Sequence, residues 1–160
     1  MKWGKMGNIT RIGQDDLKTR LMNRMTAISS QLTHELNYRM KQELELSLAK
    51  YEVLLAIDRS ENGQVTMSNL SRKLLVSNAN MTGMTSRLQI DGFVEKKALA
   101  SDRRIFSVAL TETGKRILQN AEIKHRIWVN ELTAPLNAEE IGILNALFDK
   151  LDQETTQLAK

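Results

Sequence analysis

Hydrophobic positions along most of this chain recur with the period of helices. From Asp15, the residues Leu17, Leu21, Met25, Ile28, Leu32, Leu36 and Met40 fall three or four apart. That spacing predicts one long amphipathic helix, ending before Leu46. Asp15 and Asp16 are placed to favour its positive N-terminal end. Ser47 reads as the N-cap of a second helix, with Leu46 and Tyr51 at the positions of a hydrophobic staple. The second helix is apolar at nearly every position from Tyr51 to Ile57, which predicts a buried element. It should stop near Glu61-Asn62-Gly63.

Between Val65 and Leu118 the rhythm changes. A short helical pattern covers Thr66 to Leu75, a polar break follows, and a second pattern runs from Ser77 to Asp91, before Gly92. Two strand-like runs come next, Phe93–Lys97 and Ile105–Leu110, separated by the charged turn Ser101-Asp102-Arg103-Arg104. Helix, turn, helix and hairpin is the layout of a winged helix-turn-helix, in which one helix enters the major groove and the hairpin reaches a neighbouring groove.

Beyond the hairpin, Thr111 caps a helix running to about Leu132, with Ile117, Leu118, Ala121, Ile127 and Trp128 on its apolar side. Pro135 breaks it. Asn137 with Glu140 forms a capping-box pattern, flanked by Leu136 and Ile141. The last helix gathers Ile141, Leu144, Leu147, Phe148, Leu151 and Leu158. The expected fold is therefore mainly α with a small β-hairpin wing. A winged helix-turn-helix head at residues 46–111 is flanked by dimerisation helices at 15–45 and 112–160, forming one domain. Residues 1–14 are expected to be a flexible basic arm carrying Lys2, Lys5 and Arg11. The apolar faces of the flanking helices exceed what a compact head can cover, and a two-fold homodimer is the simplest cover.

Charge sharpens this picture. The window from Thr66 to Arg116 holds nine basic and four acidic residues, a net of +5, whereas the whole chain is only +4. Basicity is thus local to the expected reading head, as phosphate neutralisation requires. The chain has no cysteine, which excludes disulfides, thiol switches and thiolate metal sites. With only His34 and His125, no metal site or cofactor is expected. No apolar run spans a membrane and no signal-peptide h-region opens the chain, so a cytoplasmic protein without a membrane partner is expected. No Ser-His-Asp order in motif context, glycine-rich phosphate loop or histidine–carboxylate run is present, and the reading is not that of an enzyme.

The residues that carry the head resemble the MarR family of transcriptional regulators. Five stretches bear the likeness: Leu48 to Ala56, Leu70 to Ser77, Met81 to Leu88 with Asp91-Gly92-Phe93-Val94, Asp102-Arg103-Arg104, and Leu110-Thr111-Glu112-Thr113-Gly114. The Asp-Arg-Arg wing followed by Leu-Thr-x-x-Gly is the specific part. The resemblance implies a dimeric winged helix-turn-helix protein that represses nearby promoters and often releases DNA on binding a small molecule. Two positions depart from the family pattern. Gly83 stands where an Arg or another larger residue is common, and Ser86 where an acidic residue is common. A glycine in mid-helix costs about 1 kcal/mol relative to alanine.

On the reading helix, Met81, Met84 and Leu88 are spaced to face the core. The other face carries Ser77, Asn78, Asn80, Thr82, Thr85 and Arg87. Asn pairs with adenine, Thr meets a thymine methyl, and Arg holds phosphate or guanine. Asn78, Asn80 and Thr82 are assigned to base edges, and Ser77 and Arg87 to the backbone. Such a reader predicts a palindromic, AT-leaning operator in double-stranded DNA. In the wing, the resemblance points to Arg104 entering the minor groove beside Arg103, with Asp102 holding the guanidinium or the turn. It also implies a small organic effector, often aromatic or anionic, in a crevice lined by Met25, Ser29, Leu32 and Trp128. The alternative is a DNA-coating or protein-interaction winged helix with little sequence preference and no effector.

Overall fold

The computed structural model describes the backbone of residues 7–98 and 106–158, and the side chains of residues 16–97 and 106–153. Within these, six α-helices and three strands follow one another. They are α1 (Gly7–Leu44), α2 (Leu48–Asp58), β1 (Gln64–Thr66), α3 (Met67–Lys73), α4 (Asn78–Ile90), β2 (Val94–Ala98), β3 (Phe106–Leu110), α5 (Glu112–Thr133) and α6 (Ala138–Leu158), with a short 3-10 turn at Glu61–Gly63 before β1. The chain divides into two compact units, residues 1–123 and 124–160.

Local chemistry sets most of these boundaries. The Ser47 hydroxyl accepts from the Lys50 amide at 3.2 Å, as expected of an N-cap, and Thr66 does the same for Asn69 at 3.4 Å. Asn137 and Glu140 form the reciprocal capping box. The Asn137 amide donates to Glu140 Oε2 at 2.8 Å, and the Glu140 amide to Asn137 Oδ1 at 3.0 Å. The first helix departs from expectation, beginning at Gly7 instead of Asp15. No proline interrupts residues 7–14, and each residue added to an existing helix fixes little entropy for one more hydrogen bond. The part of the expected arm at residues 1–6 lies outside the described residues.

In the first unit, α2 is the buried centre, with Leu48, Tyr51, Val53, Leu54, Ala56 and Ile57 all withdrawn from solvent. It packs on α1, α3 and β3. The sheet has the order β1-β3-β2 and is antiparallel throughout. β3 is its centre and is buried from Ser107 to Leu110. The Ser107 hydroxyl donates to the Lys97 carbonyl at 3.1 Å, which satisfies this buried polar group across the hairpin. β1 is an addition to the expected hairpin. At three residues it is too short to show an alternation, and only its pairing with β3, Val65 opposite Val108, makes it a strand.

The apolar face of α1 is largely uncovered in the single chain. Met40 is buried, but Leu17, Leu21, Ile28 and Leu32 are exposed. In the second unit α6 leaves Ile141, Leu144, Leu147, Phe148 and Leu151 exposed. Among the described residues no helix is long and apolar enough to cross a membrane.

Candidate nucleic-acid interface

Helix α4 is held from three sides. Its Ser77 N-cap accepts from the Asn80 amide at 3.2 Å, fixing where the helix starts. The buried Ser71 hydroxyl on α3 lies 2.6 Å from Asn78 Oδ1 and 3.1 Å from the Ser68 carbonyl, which ties the two helices of the motif together. At the far end Lys50 Nζ on α2 meets Asp91 Oδ2 at 2.5 Å, beside the C-cap. That pair is partly exposed and contributes about 0–1 kcal/mol. Packing supplies the rest, through Met81, Thr85 and Leu88, each no more than 2% exposed.

Thr85 is therefore a correction. It was expected on the DNA-facing side, but it is fully buried and its hydroxyl donates to the Met81 carbonyl at 2.9 Å. The core-facing line of α4 is 81, 85, 88, with Met84 only half-buried. Both spacings fit a helix, and threonine enters a core because its hydroxyl bonds back to the carbonyl four residues earlier.

The remaining reader residues are exposed as expected: Ser77, Asn78, Asn80, Thr82 and Arg87. Three are already committed to the fold, Ser77 as the N-cap and two more through their own side-chain bonds. The Thr82 hydroxyl donates to the Asn78 carbonyl at 2.8 Å. Asn78 Oδ1 accepts from Ser71, so a bidentate pairing with adenine at Asn78 requires that bond to open. Asn80 makes no such side-chain bond among the described residues. Ala79, which was given no role, and Gly83, noted only as a departure from the family pattern, are also exposed on this helix.

The wing is anchored by the Leu-Thr-x-x-Gly stretch. The Thr111 amide donates to the Phe93 carbonyl at 3.0 Å and its hydroxyl to the Gly92 carbonyl at 2.7 Å. The Thr111 oxygen also accepts from the Gly114 amide at 3.0 Å, capping α5. One threonine thus joins the end of the reader, the base of the hairpin and the start of α5. Asp102, Arg103 and Arg104 lie outside the described residues.

Of the expected effector residues, Ser29 lines an open groove of about 450 Å³ together with Thr33, His34 and Asn37 of α1 and Glu52 of α2. Partial desolvation raises the Glu52 carboxyl above its ordinary value. Met25 and Leu32 are not among the lining residues of this groove, and Trp128 belongs to the second unit, where it is buried.

A three-helix core with a helix-turn-helix and an antiparallel wing defines the winged helix-turn-helix class. Residues 46–106 match the model of the MarR family. An uncharacterized HTH-type transcriptional regulator of Bacillus subtilis, YfiV, is 30% identical over 98 residues, covering 61% of this chain and 60% of its own length. Among solved structures, the regulator BldR from Sulfolobus solfataricus superimposes with a TM-score of 0.73 at 28% identity, over 86% of this chain and 96% of BldR. A mutant of MarR from E. coli, complexed with operator DNA, does so with a TM-score of 0.75 at 26% identity, over 82% of this chain and 93% of that one. Residues 46–106 are thus similar to the MarR family, and the chain shares the winged helix-turn-helix fold of the solved regulators. Its match to YfiV spans about three fifths of that relative's length.

Proposed function

We propose that this protein is a sequence-specific regulator of transcription that binds double-stranded DNA as a homodimer. The observation that carries the reading is α4: one face is locked into the core by Met81, Thr85 and Leu88, while the other presents Asn78, Asn80, Thr82 and Arg87 to solvent. A polar but Arg-poor face of this kind suits base edges and thymine methyls more than phosphates alone. Asn80 and Thr82 read bases, Ser77 and Arg87 position the backbone, and the Asp102-Arg103-Arg104 sequence is assigned to the minor groove, with Arg104 as the entering residue. The uncovered apolar faces of α1 and α6 support a homodimer, and a dimer matches a palindromic operator. Repression follows where such an operator overlaps a promoter. The groove between α1 and α2 is the candidate seat of a small organic effector that releases the DNA.

The test is a titration of the purified protein against the DNA upstream of its own gene, with a scrambled duplex as competitor. A specific regulator binds its site about 10³-fold or more tighter than bulk DNA. If a genome-wide selection also yields no preferred sequence, and affinity depends on salt alone, the protein coats DNA instead.

A further inference from the structure

The middle of the reading helix holds a glycine that nothing in the fold requires. Gly83 has no left-handed φ, and a β-carbon built on it meets no atom within 4 Å beyond its chain neighbours and the backbone of its own helix. By contrast, Gly92 sits at φ +76° and Gly114 is pressed against Phe93. A mid-helix glycine weakens a helix relative to alanine, so α4 carries a cost with no return inside the chain. At 100° per residue, position 83 lies opposite the buried line of Met81, Thr85 and Leu88. It is therefore where this helix comes nearest to the floor of a groove it enters. Asn80 and Thr82 flank it, and Ala79 precedes it by one turn.

We propose that Gly83 is a specificity-determining residue, whose missing side chain lets the α4 backbone seat against a base-pair edge and leaves an apolar space that a thymine C5-methyl fills. Glycine serves wherever a backbone must approach a ligand closely, and the thymine methyl is the one apolar group on the major-groove edge. Close seating also brings Asn80 within reach of its base. The inference rests on reading α4 as the recognition helix.

The experiment uses an operator selected from random duplexes, the same operator with deoxyuridine at its core thymines, and a scrambled duplex. Wild-type protein and Gly83→Ala are titrated against all three and melted without DNA. Gly83→Ala is expected to melt about 2–4 °C higher. It should bind the scrambled duplex unchanged and the operator at least about tenfold more weakly, which corresponds to about 1.4 kcal/mol. Deoxyuridine should weaken wild type and leave the variant little affected. Operator binding by Gly83→Ala within about twofold of wild type, a lower melting temperature, or indifference of wild type to deoxyuridine each overturns the role of Gly83 alone. A wild-type protein that selects no duplex overturns the regulator reading itself.

Discussion

The carbonyl of Phe93 lies directly against the α-carbon of Gly114, so that a β-carbon on Gly114 would overlap the carbonyl oxygen and stand 2.9 Å from its carbon. That carbonyl cannot retreat, because it accepts the Thr111 amide at 3.0 Å at the base of the wing. Gly114→Ala must therefore push α5 away from the hairpin or break that bond. The expected cost is about 3 kcal/mol, at the upper end for inserting one carbon into a closed site. Urea denaturation measures it directly. A loss below about 1 kcal/mol would mean that α5 shifts freely.

Two helices of the head end in the same way, and only one has the residue suited to it. After α4, Gly92 takes φ +76°, with its amide on the Gln89 carbonyl at 3.1 Å and the Phe93 amide on Leu88 at 2.9 Å. After α3, Leu75 takes φ +54°, with its amide on Arg72 at 3.3 Å and the Val76 amide on Ser71 at 3.0 Å. These are Schellman closures, in which glycine escapes the steric penalty of the left-handed region. Leu75 is 93% exposed and recovers almost nothing by burial. Leu75→Gly should stabilise the protein by about 1 kcal/mol after the greater freedom of glycine in the unfolded chain is counted. A thermal melt that fell instead would show that this leucine covers apolar surface.

Thr85→Val separates the two readings of α4. The valine keeps the shape of the side chain. The Met81 carbonyl loses only its second donor, because the helix itself still supplies the Thr85 amide. Operator affinity should stay within about twofold, whereas Asn80→Ala should weaken it by about 1–3 kcal/mol if Asn80 pairs with a base. A drop in affinity for Thr85→Val, with the melting temperature unchanged, would return this residue to the DNA face.

The order of helices and hairpin was legible because caps and periodicity are local. Ser47, Thr111 and the Asn137–Glu140 pair announce their helix starts in residue type alone. Thr85 was misplaced because 81-84-88 and 81-85-88 are equally helical, and only tertiary packing chooses between them. β1 was missed because its identity lies in its partner, β3. Ala79 was passed over, and Gly83 was noted only as a departure from the family pattern, for a different reason. Hydrogen-bonding inventories favour residues that reach out, while a helix in a groove also depends on the residues that do not.

Stability should fall on mild acidification through His125. Desolvation holds its imidazole below the ordinary value of 6.5. The folded state thus takes up this proton later than the unfolded state does. The resulting stability is fully present above about pH 6.5 and is lost as pH falls through the folded value. Glu52 acts in the opposite sense, since its carboxyl is raised above 4.5 and its contribution is lost as pH rises. His125→Asn should flatten the melting profile between about pH 7 and 5. An unchanged profile would assign the acid limb to other groups.

A dimer would cover the apolar residues that a single chain leaves in water. Leu21 on α1 is 53% exposed and Phe148 on α6 is 50% exposed. Neither contributes much to the core of its own unit. Leu21→Lys and Phe148→Asp should therefore leave the helical content intact while shifting sedimentation from dimer to monomer at micromolar concentration. The monomer would retain one reading helix and one wing per binding event. Its affinity for a full palindrome should fall by at least about a hundredfold, because the second half-site no longer benefits from an effective concentration set by the first. Its binding to an isolated half-site should be unchanged. If the variants remain dimeric, the apolar faces of α1 and α6 serve another partner and the two-fold operator must be explained by a different interface.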